Sequence, residues 1–78
     1  MADVTVKLSS DEALVLFELL HRWEDADWYE NADLLPGERT VLWALSGRLE
    51  TQLVEPFDPG YLDLVDQARE RLRELRDN

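Results

Sequence analysis

The chain has no cysteine among its 78 residues. No disulfide can staple it, and no thiolate is available as a nucleophile or a metal ligand. A single histidine, His21, rules out the usual Cys/His zinc site within one chain. Glycine is scarce, and Gly37, Gly47 and Gly60 stand alone, so no glycine-rich loop cradles a phosphate. No apolar run approaches the roughly 18 residues that a bilayer-spanning helix needs. The opening Met1-Ala2-Asp3-Val4 lacks a basic region and a long apolar stretch. No signal peptide is expected, and a cytoplasmic location is the default. Cations are scarce too: eight lysines and arginines face 18 carboxylates, a formal net charge of −10. Phosphate backbones and anionic lipid headgroups would be repelled, so neither nucleic acid nor membrane is an expected partner.

What is present is ordinary globular material. The hydrophobic share is 45%, too high for a disordered acidic tail. The length predicts one small helical domain, residues 1–78, with a thin core. Its stability must come from apolar packing, helped by oligomerisation.

Along the chain, Val4, Val6 and Leu8 alternate with Asp3, Thr5 and Lys7, which predicts a short strand or extended arm over residues 3–8. Ser9-x-x-Glu12 is a capping-box pattern. With the spacing Ala13, Leu16, Phe17, Leu20 and Trp23, it predicts a first helix over about residues 10–24. Glu24 to Leu35 reads as a polar loop, with room for one helical turn around residues 26–31. Pro36 suits the first turn of a second helix, expected over residues 36–54, with Val41, Leu42, Leu45, Leu49 and Leu53 as its core stripe. Gly47 would permit a close helix approach. Pro56 ends that helix and pushes Glu55 towards an extended conformation. Asp58-Pro59 signals the start of a third helix, residues 59–76, with Tyr61, Val65, Ala68, Leu72 and Leu75 on one face. Phe57 and Tyr61 are expected to fix the turn into it. The fold class is therefore mainly α: a short N-terminal strand or extended arm followed by a three-helix bundle. The arm would pair with residues 53–57, pair with the same arm of a second chain, or lie on the helices; a contribution to a homodimer is favoured.

Chemistry is thin. His21 is the one imidazole base, and no Gly-x-Ser-x-Gly elbow accompanies it. Ser9, Ser10 and Ser46 read as cap and helix-surface residues. Asp25-x-Asp27-x-x-Glu30-x-x-Asp33 fails the EF-hand spacing, because position 6 is Glu30 and position 12 is Pro36. No catalytic residue, cofactor or metal site is assigned. Trp23 and Trp43 read as core or core-edge residues.

The segment Leu8-Ser9-Ser10-Asp11-Glu12-Ala13-Leu14-Val15-Leu16-Phe17, the stretch Val41-Leu42-Trp43-Ala44-Leu45 and the piece Glu55-Pro56-Phe57-Asp58-Pro59-Gly60-Tyr61 resemble an uncharacterised family of short bacterial proteins. The resemblance implies a self-contained bacterial cytosolic domain and carries over no catalytic residue or ligand. In size and acidity the chain is also similar to helical immunity proteins that neutralise basic nuclease toxins, by composition alone.

Function is read from the charge. Residues 1–35 hold nine carboxylates against Lys7 and Arg22. Five of them crowd around Trp28 and Tyr29. The sequence predicts a non-enzymatic interaction module that presents Glu24, Asp25, Asp27, Trp28, Tyr29, Glu30 and Asp33 to a basic protein partner, as an immunity, antitoxin or inhibitor protein would. Trp28 and Tyr29 either anchor that contact or cover one end of the bundle. The alternative is a small homo-oligomeric structural or accessory protein whose acidity serves solubility.

Overall fold

The computed structural model describes residues 2–25 and 32–76. Among these residues there are three helices, α1 (Ser10–Asp25), α2 (Glu38–Gln52) and α3 (Tyr61–Arg76), with a 3-10 turn at Glu55–Phe57 between the last two. The capping box forms as the sequence predicts. The Glu12 amide donates to Ser9 Oγ at 3.1 Å, and the Ser9 amide donates to Glu12 Oε1 at 2.7 Å. Two otherwise unpaired donors at the start of α1 are thereby satisfied.

α1 is the wall shared by two small cores. On one flank, Phe17 and Leu20 bury against Leu49 and Leu53 at the inner face of α2, with Ala13, Leu16, Trp23, Leu42 and Leu45 around them. On the other flank, Leu14 buries against Val65 and Ala68 of α3. Tyr61 touches both clusters. α1 packs most extensively on α3 and next on α2, whereas direct packing between α2 and α3 is sparse among the described residues. The apolar run Ala13–Phe17 thus feeds two faces of one helix.

Two long-range bonds set the direction of α3. Tyr61 Oη donates to Glu18 Oε1 at 3.0 Å, and Arg71 grips Asp11 through Nε at 2.8 Å and through its terminal nitrogen at 2.9 Å. α3 therefore runs antiparallel to α1. Residues from the start of α1 and the end of α2 line one open cleft of about 800 Å³, so α2 also runs antiparallel to α1.

Several expectations change. Residues 2–9 form neither helix nor strand, so the arm does not pair with residues 53–57. That stretch is not extended beyond Leu53: Phe57 N–H bonds Val54 C=O at 3.1 Å and Asp58 N–H bonds Glu55 C=O at 2.9 Å, which closes the 3-10 turn despite Pro56. Phe57 itself is 79% exposed and pins nothing. α2 begins two residues after Pro36 because Gly37 sits at φ +90°, outside the helical region. Leu35-Pro36-Gly37-Glu38 instead has the residue pattern of a type II turn, with Glu38 N–H on Leu35 C=O at 3.1 Å. Asp58-Pro59 also heads a turn before the helix: Asp58 Oδ1 accepts from Gly60 N–H at 2.7 Å, and Tyr61 opens α3.

Within the helices, Val41 is 65% exposed, since it lies a full 100° around α2 from Leu42. Ser46 takes the buried place, 5% exposed, correcting its reading as a surface residue. A Cβ added at Gly47 would meet nothing within 4 Å, so that glycine serves no close approach. Leu75 is 77% exposed, because Arg71 already stands at the first turn of α1 and the next turn of α3 passes beyond it.

Candidate interaction surface

The cations of the bundle are largely committed. Arg71 holds Asp11 across the α1–α3 interface. This hydrogen-bonded guanidinium keeps the Asp11 carboxyl below the ordinary aspartate range. Arg69 pairs with Asp66 at 2.6 Å, Arg73 with Glu70 at 3.5 Å and Arg22 with Glu18 at 3.7 Å. Burial, and then the bond to Glu18, push the Tyr61 hydroxyl well above the usual phenol range.

The end of the molecule where α1 stops and α2 starts is different. Glu24 and Asp25 occupy the last turn of α1 together with Arg22, whose guanidinium turns back to Glu18. A helix C-terminus carries partial negative charge, so two carboxylates there cost about 0.3–1 kcal/mol each. Among the described residues Glu24 has His21 as its ion-pair neighbour, at 3.9 Å, and that imidazole is stacked on Phe17 at 4.9 Å. Asp25 and Asp33 are exposed and join no ion pair among the described residues. Glu38 adds a fourth carboxylate, which accepts from the Leu35 amide.

Apolar side chains are exposed beside Glu38 and on the next turns of α2. Leu35 is 65% exposed and Trp43 52% exposed, with Arg39 5.7 Å from the centre of the indole ring. Trp43 is therefore a surface residue, not core; of the two tryptophans described, Trp23 packs at the core edge. Of the sequence-predicted site, the structure places Glu24, Asp25 and Asp33 near this end. Asp27, Trp28, Tyr29 and Glu30 lie outside the described residues. Leu35 and Trp43 were not picked out from the sequence; the signal for Trp43 was its position off the centre of the α2 stripe.

His21 has a carboxylate at hand but no nucleophile assigned to it, and Ser46 is buried in α2. Among the described residues, no group of three or more His, Asp or Glu side chains is placed to hold a metal ion. No described helix is long and apolar enough to cross a membrane. Comparison with protein-family models, curated proteins and solved structures gives no match to this chain.

Proposed function

We propose that this chain is a non-enzymatic interaction module, which offers the end bearing Glu24, Asp25, Asp33 and Glu38 to a basic protein partner in the cytoplasm. An immunity, antitoxin or inhibitor protein is its concrete form. The observation that carries the reading is the placement of Glu24 and Asp25. They sit where the helix dipole makes carboxylates unfavourable, and no arginine reaches them among the described residues. Charge kept where it lowers stability is explained by use at a surface. Steering by this end would raise the association rate, and exposed Leu35 and Trp43 would supply the desolvated contact.

The test compares three baits against lysate of the native cell: the natural chain, E24K/D25K/D33K, and E50K/D63K/E74K. The two variants carry the same change in net charge, and the second places it on exposed positions of α2 and α3. The reading expects a basic protein retained by the natural chain and by the second variant, and lost from the first. Equal retention by both variants would refute it.

A further inference from the structure

The arm ahead of α1 carries a second message. None of its backbone groups from Asp3 to Leu8 is hydrogen-bonded within the described chain. Val4 is 88% exposed and Val6 73% exposed, yet both border the cleft of about 800 Å³, as Thr5 between them and Leu8 also do. That cleft continues over Leu16 of α1 and over Leu45, Leu49, Leu53 and Val54 at the end of α2. An apolar edge with a full set of free donors and acceptors is a template for a strand.

The sequence of the arm specifies which strand. Apolar Val4, Val6 and Leu8 alternate with polar Asp3, Thr5 and Lys7, so an antiparallel partner must keep the two faces in phase. Against a second copy of the arm, the register centred on Thr5 sets Asp3 opposite Lys7 of the second copy and Lys7 opposite its Asp3. Val4 then faces Val6 of the second copy, and Thr5 faces Thr5. Shifting by one pair towards the helix puts Lys7 opposite Thr5, with no charge match. Shifting by two sets Lys7 against Lys7. Parallel in-register pairing opposes like charges at both ends. Only the register centred on Thr5 gives two attractive ion pairs and a single apolar face.

We infer that the arm pairs with the arm of a second copy of this chain, antiparallel about a two-fold axis through Thr5. The valines of the two arms then form one apolar face over the cleft at each end of the ribbon. Val4 of the second copy, lying beside Val6, covers apolar surface that a single chain leaves open to solvent. This inference does not depend on the proposed partner, because the acidic end lies at the opposite pole of the α1–α2 pair.

Sedimentation of the full chain over roughly 1–300 μM tests self-association. A shift from monomer to dimer is expected. K7D sets Asp3 against a second carboxylate, and D3K sets Lys7 against a second cation; each should weaken the dimer about tenfold or more by turning two attractive pairs repulsive. An equimolar mixture of D3K and K7D should recover association, because the ion pairs re-form between unlike chains. The double variant D3K/K7D should recover it as well. The chain has no cysteine of its own, so register is read by single substitutions. T5C should cross-link across the axis on mild oxidation, within disulfide reach. K7C should not, because its two sulfurs would stand roughly 13 Å apart. The arm lies outside both cores, so these variants keep their helical spectrum. A strict monomer over the whole range, no rescue on mixing, or K7C cross-linking as fast as T5C would each overturn the proposal.

Discussion

Replacing Leu20 by alanine tests the packing that holds the bundle. Leu20 is 1% exposed and sits with Phe17, Leu49 and Leu53 between α1 and α2. The substitution deletes three carbons, about 2.4 kcal/mol of transfer free energy at about 0.8 kcal/mol per methylene. The cavity left behind raises the loss to about 3 kcal/mol, inside the range found for buried leucine truncations. A chain of this length is stable by about 4–12 kcal/mol, so the variant forfeits a quarter or more of the total. Urea unfolding followed by circular dichroism and by tryptophan fluorescence gives the number. Protein concentration must be fixed, because self-association adds its own stabilisation. The midpoint should fall with the slope unchanged, and the thermal midpoint should drop by roughly 12–24 °C. L62A, at a position 67% exposed, is the control and should stay within about 0.5 kcal/mol of the natural chain. A loss below about 1 kcal/mol for L20A, or an equal loss for L62A, would refute the assignment of the core.

Other perturbations have equally definite outcomes. E24K/D25K should raise stability by about 1–2 kcal/mol in chemical denaturation, since it removes two unfavourable carboxylates and cations suit the end of α1; a destabilised variant would contradict the dipole argument. Y61F removes the hydrogen bond to Glu18 and should cost about 1 kcal/mol. Because folding raises the Tyr61 value, its contribution is fully present below the ordinary tyrosine value of about 10 and is lost as pH rises through the folded value. The natural chain should therefore weaken more steeply than Y61F above about pH 10. For Asp11 the sign is opposite. Its value is lowered by Arg71, so the contribution is present above about pH 4 and disappears as pH falls through the folded value. D11N should be less stable at neutral pH, with the gap closing in acid. G37A should cost about 1 kcal/mol from the left-handed backbone alone, because its Cβ would meet nothing within 4 Å.

The parts of the fold legible in the sequence are those where two local signals agree. Ser9-x-x-Glu12 and the apolar period after it both mark the start of α1, and the helix begins there. Pro36-Gly37 and Asp58-Pro59-Gly60 are ambiguous, because proline serves equally at the first position of a helix and in the middle of a turn. At the first of these the glycine decides: its positive φ ends the turn and delays the helix. The stripe of α2 was legible, since Leu42, Leu45, Leu49 and Leu53 pack against α1 as their spacing predicts. Val41, Trp43 and Ala44 spread apolar side chains beyond that stripe, which drew exposed Val41 into it, and polar Ser46 gave no signal for its burial. The same spread hid Trp43, whose exposure marks it as part of the surface. The carboxylates Glu24, Asp25 and Asp33 were legible from charge density alone. Their lack of arginine partners among the described residues was not, since the pairs that absorb Arg71 and Arg22 depend on how the helices pack and turn.

The central claim is that Glu24, Asp25 and Asp33, which no arginine pairs among the described residues, concentrate negative charge where α1 ends and α2 begins. Paramagnetic relaxation of backbone amides by two soluble nitroxides of the same size, one cationic and one anionic, reads the local potential directly. The account expects amides of Glu24, Asp25 and residues 33–39 to relax much faster with the cationic probe, and those of Arg69–Arg73 to show a far smaller preference. Equal preferences at the two sites would contradict it.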